Sequence, residues 1–197
     1  MKDNFPVYKA ITERRTIRCF KQDKIPKRVL EKLINAARLA PSGANLQPLE
    51  YIIVNDENKL NEVFENVKWA GYIAPKGNPK EGERPTAYII VLVDKNNNTT
   101  TASYDVGAAV ENILLTAWEE GIGSCWMGSI NRDNLRKIFN VPNDFTIDSV
   151  IALGYKGESP VVEEYKGSVK YWKDDNNVLH VPKRNLKDIL YWNKFQK

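Results

Sequence analysis

Four short stretches of this 197-residue chain carry residue types whose spacing suits ligand binding. The first is Arg14-Arg15-Thr16-Ile17-Arg18-Cys19-Phe20. In an extended backbone alternate side chains share a face, so Arg14, Thr16 and Arg18 are expected to point together while Ile17 and Cys19 turn to the core. Two guanidiniums flanking a hydroxyl make a clamp for a phosphate or for polarised carbonyls. The alternative is a solvated basic stretch. The second is Ala40-Pro41-Ser42-Gly43-Ala44-Asn45-Leu46-Gln47-Pro48. Its prolines fix shape, Gly43 permits close approach, and Ser42, Asn45 and Gln47 offer donors and acceptors. The same residues also serve plain helix-to-strand connectors. The third runs from Gly121 through Trp126 and Met127 to Gly128, where a glycine lets backbone amides approach a flat ligand. Its alternative is a buried strand followed by a turn. The fourth, Pro182-Lys183-Arg184-Asn185-Leu186, places cations where they can meet a phosphate or simply form a charged C-terminal turn.

Other chemistries lack their residues. The single histidine, His180, lies near the C-terminus, and no GxSxG precedes a helix, which argues against a hydrolase triad. The same shortage argues against a metal site built from His and Cys. No Walker A sequence is present, and Gly121-Ile122-Gly123 follows a helix and lacks the third glycine of a dinucleotide fingerprint. Cys19 and Cys125 are far apart and show no CxxC spacing, as expected of reduced thiols in a cytoplasmic protein. The Asn97–Thr100 run contains glycosylation sequons, which have no consequence in that compartment. Net charge is +4 and spread along the chain, which suits an anionic ligand better than a nucleic-acid groove. The N-terminus has no apolar h-region, and the longest apolar run, Ala87 to Val93, is too short to span a membrane.

These residues need a scaffold, and the length suits one domain over residues 1–197. Short helices are expected at 6–14 and, with Val29, Leu30, Leu33, Ile34 and Ala37 on one face, at 26–40. A strand from Glu50 to Asn55 leads to a helix capped by Asp56 and running to about Ala70. Six Gly and Pro residues make 71–86 a loop. Thr86 to Asp94 reads as a buried strand ending in the turn Lys95–Asn98. Ser103 to Glu120 is apolar over a wide face, as a central helix is. A short strand at Ser124–Met127, a helix at Asn131–Phe139 and a strand at Thr146–Tyr155 follow. The extension 156–197 is polar but rich in aromatics, including Tyr165, Tyr171, Trp172, Tyr191 and Trp192. Disordered tails have few aromatics, so an extended arm packing on another subunit is expected, ending in a short helix at 185–193.

Taken together, in this order and over nearly the whole chain, these motifs resemble the nitroreductase family of FMN enzymes. The shared segments include Asp105-Val106-Gly107-Ala108-Ala109 and Ile151-Ala152-Leu153-Gly154-Tyr155. The resemblance implies an α+β fold, with a central, mainly antiparallel sheet flanked by helices and a C-terminal arm reaching the partner subunit. It implies a homodimer with FMN in two interface clefts. Arg14, Arg15, Thr16 and Arg18 would hold phosphate, ribityl chain and pyrimidine edge. Pro41, Ser42, Gly43, Asn45 and Gln47 would come from the other subunit. Trp126, Met127 and Gly128 would lie by the ring, and Lys183 or Arg184 would reach the phosphate; a related Arg-Lys-Pro-Leu pattern reads Lys-Arg-Asn-Leu here. NAD(P)H and a nitroaromatic, quinone or flavin acceptor would use the ring in turn, by ping-pong kinetics and with no catalytic side chain or metal. Trp69 and Tyr72 are candidates to stack the acceptor; the alternative for both is core or dimer packing. Reductive dehalogenation, flavin destruction and non-catalytic flavin binding are the competing functions.

Overall fold

The computed structural model describes residues 6–97 and 100–195. Asn98 and Thr99, which complete the expected turn and the sequons, lie outside the described residues. The chain runs α1 (Pro6–Glu13), β1 (Phe20–Lys21), α2 (Lys27–Ala37), β2 (Leu49–Val54), α3 (Glu57–Phe64), β3 (Ala87–Asp94), α4 (Ala102–Glu119), β4 (Ile122–Met127), α5 (Arg132–Ile138) and β5 (Phe145–Lys156). Three short strands follow, β6 (Val161–Glu164), β7 (Trp172–Lys173) and β8 (Leu179–Lys183). This is the α+β architecture expected.

Strand β5 organises the main sheet. It pairs antiparallel with β3 along one side and with β4 along the other, and β3 in turn pairs with β2. The two faces of β3 feed different cores, because its side chains alternate. Ala87, Ile89, Val91 and Val93 join Val29, Leu30 and Leu33 of α2 and Val106, Val110 and Ile113 of α4. Tyr88, Ile90 and Leu92 join Ile17, Phe20, Val63, Trp69, Cys125 and Met127 on the other face. Buried on both sides, β3 reads as a continuous apolar run, and α4 is central as its wide apolar face requires.

Two expectations about helices are corrected. Asp56 caps α3, its carboxylate accepting the Asn58 N–H at 2.8 Å, but the helix stops at Phe64 instead of reaching Ala70. Residues 66–68 instead pair with the loop after β4: Lys68 N–H donates to Ser129 O, and Asn131 N–H to Asn66 O. The extension forms regular structure of its own. Strands β6 and β8 pair in parallel, and β7 pairs antiparallel with β8, in a small second sheet. The helix expected at 185–193 is only a 3₁₀ turn, Leu186–Asp188. Short helices need an apolar face to pack, and Leu186, Ile189 and Leu190 are all exposed.

Candidate active site

The Arg14–Phe20 segment is positioned by crossing the end of the sheet. Thr16 bridges Ser124 on the free edge of β4, whereas Phe20 and Lys21 pair with Lys156 and Tyr155 on the opposite side of β5. Residues 17–19 therefore pass over the strands at two glycines. A Cβ on Gly123 would lie 2.7 Å from Ile17, and one on Gly154 would lie 2.8 Å from Phe20. Ile17 and Phe20 are thus the buried pair, and simple alternation fails. Cys19, expected in the core, is only half-buried, with Sγ 3.8 Å from a Glu83 carboxylate oxygen.

The arginines meet different neighbours. Arg14 Nε lies 3.5 Å from Glu111 on α4. Arg15 folds back, its guanidinium donating to the carbonyls of Thr12 and Arg14 at the end of α1. Burial, then the neighbouring Arg14 charge, lowers its pKa from the usual guanidinium value. Arg18 lies over the Tyr171 ring, 5.0 Å from its centroid. Beneath it, Glu158 Oε1 accepts the backbone N–H groups of Arg18 at 2.5 Å and Cys19 at 3.1 Å. Glu158 Oε2 pairs with Lys173 of β7 at 3.8 Å. The small second sheet thereby anchors the Arg18 strand within the same chain. Burial raises the Cys125 thiol pKa, and the nearby Arg18 charge opposes that rise. The Nε atoms of both Arg14 and Arg18 are buried; that of Arg14 has only the Glu111 carboxylate of its ion pair, and that of Arg18 has no hydrogen-bond partner.

The loop after α2 is tied to α4. Ser42 Oγ donates to Asp105 Oδ2 at 2.7 Å, Gly43 N–H donates to Oδ1 at 3.0 Å, and Gln47 N–H donates to Ser42 Oγ at 2.9 Å. A cavity of 160 Å³ beside it is lined by Pro41, Ser42 and Gln47 together with Arg38, Tyr51 and Asp105, and by none of Arg14–Arg18. Asn45 and Gln47 are exposed.

At the end of β4, Trp126 is 44% exposed and donates from Nε1 to Ser149 Oγ at 2.7 Å, while Met127 is buried. Gly128 has open space where a Cβ would be. Arg132 holds this turn against an irregularity in β5, donating to Ile147 O at 2.9 Å, Asp148 O at 2.7 Å and Gly128 O at 3.3 Å. Trp69 is 6% exposed and packs against Phe64 in the second core. Tyr72 is 55% exposed and meets Tyr171, ring centroids 5.0 Å apart. Lys183 O accepts the Tyr165 N–H within the second sheet, and Arg184 closes the last turn on Asp188 O at 2.6 Å.

The model of the nitroreductase family matches residues 11–155, from α1 to the end of β5. The chain belongs to the nitroreductase family. A provisionally named NADH dehydrogenase/NAD(P)H nitroreductase of Archaeoglobus fulgidus is 33% identical over 156 residues, 75% of this chain and 83% of its own. An iodotyrosine deiodinase of Thermotoga neapolitana is 28% identical over 76% of this chain and 88% of its own. Among solved structures, an FMN-dependent nitroreductase of Clostridium difficile superposes with a TM-score of 0.67 at 26% identity, covering 94% of this chain and 98% of that one. Sequence reasoning about this nitroreductase-family chain singled out neither Glu158, Arg132 nor Asp105 as a site residue. Asp105 stood inside a quoted family segment, but only its burial beside Ser42 reveals a task. Among the described residues no group of three or more His, Cys, Asp or Glu is placed to hold a metal ion, and no helix is long and apolar enough to cross a membrane.

Proposed function

We propose that this chain is an FMN-dependent oxidoreductase that moves reducing equivalents from NAD(P)H to nitroaromatic, quinone or flavin acceptors. It works as a cytoplasmic homodimer with FMN in the interface clefts. The observation that carries the reading is the Arg14–Arg18 segment, which bridges the free edge of β4 at Thr16 and holds Arg18 Nε buried without a hydrogen-bond partner. A buried donor without an acceptor is costly, and an anionic, carbonyl-rich ligand beside Arg18 would supply one. The donor set therefore fits FMN.

FMN supplies the hydride chemistry when bound, and the protein supplies position and charge. Arg18 would hold the cofactor's pyrimidine edge and would stabilise negative charge there. Arg14 and Thr16 would hold the phosphate and ribityl groups, helped by Lys183 or Arg184. Arg15 shapes the entry of the segment by capping α1. Trp126, the backbone at Met127 and the open Gly128 would line the ring, and the partner's loop 41–48 would complete the site. Tyr72 offers an exposed ring face for the acceptor, with Trp69 supporting the segment from the core. The exposed apolar side chains of α1, Val7, Tyr8 and Ile11, fit a subunit interface.

Spectroscopy and kinetics test this. The purified protein is expected to be yellow, to oxidise NAD(P)H continuously with a quinone or nitroarene, and to give parallel double-reciprocal lines. Bound flavin without turnover would mean a storage protein. The likeness to the deiodinase favours a second reading, reductive dehalogenation, which halotyrosine turnover exceeding nitroarene turnover would establish.

A further inference from the structure

We propose that Asp105 is a positioning residue: from the first turn of α4 it holds loop 41–48 in the shape with which one subunit completes the other's flavin site. The inference rests on the flavin reading above and adds a residue to it.

Asp105 is 6% exposed, and its carboxylate faces the loop. One oxygen accepts the Ser42 hydroxyl and the other the Gly43 N–H, while the Ser42 oxygen accepts the Gln47 N–H. A single carboxylate thus ties both ends of the loop, residues 42 and 43 directly and residue 47 through a hydroxyl. A negative charge also suits the first turn of an 18-residue helix. The loop needs such a tie. Ala44, Asn45 and Gln47 all have left-handed backbone, with φ of 49°, 55° and 50°. Residues bearing a Cβ adopt that region unwillingly and stay there only when their surroundings over-determine it. The loop is also pressed against the start of α4: a Cβ on Gly43 would lie 2.7 Å from Thr101 Oγ1.

The tie decides what the loop can present. The Ser42 proton is committed to Asp105, so Ser42 meets a cofactor only as an acceptor. The Gly43, Asn45, Leu46 and Gln47 backbone N–H groups are likewise committed within the loop and to Asp105. The side-chain amides of Asn45 and Gln47 are both exposed, and Gln47 Nε2 already donates to Asn45 O at 3.3 Å, which leaves the Asn45 amide the freer donor.

The test uses the full-length protein. Asp105→Asn is isosteric and loses the acceptor for the Ser42 proton; Asp105→Glu keeps the charge but overreaches. In both apoproteins, hydrogen exchange at the Gly43 and Gln47 amides is expected to accelerate while Ile113 and Leu114 in α4 stay protected. FMN titration is expected to show at least about tenfold weaker binding, the worth of one charge-assisted hydrogen bond. A heterodimer of one Asp105→Glu chain and one Arg18→Ala chain is expected to hold one tightly bound FMN, because both defects fall in the same cleft. Unchanged loop exchange, FMN affinity within twofold of wild type, or a heterodimer with no tight site overturns the proposal. If wild type itself takes up no FMN, the flavin reading falls, and the exchange rates alone decide whether Asp105 holds the loop.

Discussion

Arg18 gathers more contacts than its place in a basic stretch suggests: a tyrosine ring, a buried thiol and a backbone amide held by Glu158. Arg14→Ala and Arg18→Ala are each expected to weaken FMN binding by more than tenfold, about 1.5–3 kcal/mol for a hydrogen bond to a charged group. Flavin titration checks this, with circular dichroism showing that the apoprotein stays folded; unchanged affinity in both removes the arginines from the site. Cys19 yields a pH prediction. Burial first, then Glu158 and Glu83, raises its pKa from 9.0 to about 11. The unfolded thiol releases its proton near pH 9 while the folded one keeps it, so between pH 9 and about 11 the unfolded chain binds fewer protons. Stability is therefore intact below pH 9 and falls as pH rises through that window. Tyr51, raised by burial from 10.0 to about 12, extends the loss upward. Urea midpoints measured from pH 8 to 11 should drop, and less steeply in Cys19→Ser. Equal slopes in both proteins would show that Cys19 does not contribute.

At the scale of elements, the Arg14–Phe20 segment is placed by what β4 and β5 lack. Gly123 and Gly154 leave room for Ile17 and Phe20 to cross the sheet end. Gly123→Ala introduces a carbon 2.7 Å from Ile17 and pushes the segment outward. Overpacking of this kind costs about 1–3 kcal/mol. Denaturant unfolding should show that loss, and FMN titration should show weaker binding because Arg14 and Arg18 move with Ile17. A variant as stable as wild type, with wild-type affinity, would mean that the segment tolerates displacement. The second sheet helps to place the same segment, since Tyr171 and Lys173 contact Arg18 and Glu158 within one chain.

For the whole molecule, the extension after β5 has two tasks. Part of it braces the same chain, and the exposed Leu186, Ile189, Leu190, Trp192 and Phe195 present apolar surface that fits the proposed second subunit. Obligate interfaces are large, apolar and inseparable from folding. A chain ending at Gly157 is expected to lose both the dimer and bound FMN. Light scattering and the visible spectrum check this; a full-length monomer that retains FMN would refute the shared site. Chelator treatment should leave activity unchanged, because the proposed chemistry runs through a flavin and needs no metal.

The sequence by itself determined the main elements, because burial imposes a period on side chains: β3 is apolar on both faces and α4 over most of its circumference. Family membership was legible for a different reason, since short motifs keep their order along the chain. What the tertiary structure decided were relations between distant residues. Alternation placed Cys19 in the core, but the chain crosses the sheet end, and Phe20 takes that place over Gly154. Propensity extended α3 to Ala70, but residues 66–68 found partners at 129–131. The extension reads as polar and irregular because its strands are two to five residues long, too short for a periodic signal, and only pairing of β6, β7 and β8 forms them. Asp105 looks like any first-turn carboxylate in the sequence. Its role as the tie for Ser42 and Gly43 exists only because folding brings residues sixty positions apart into contact and removes water from between them.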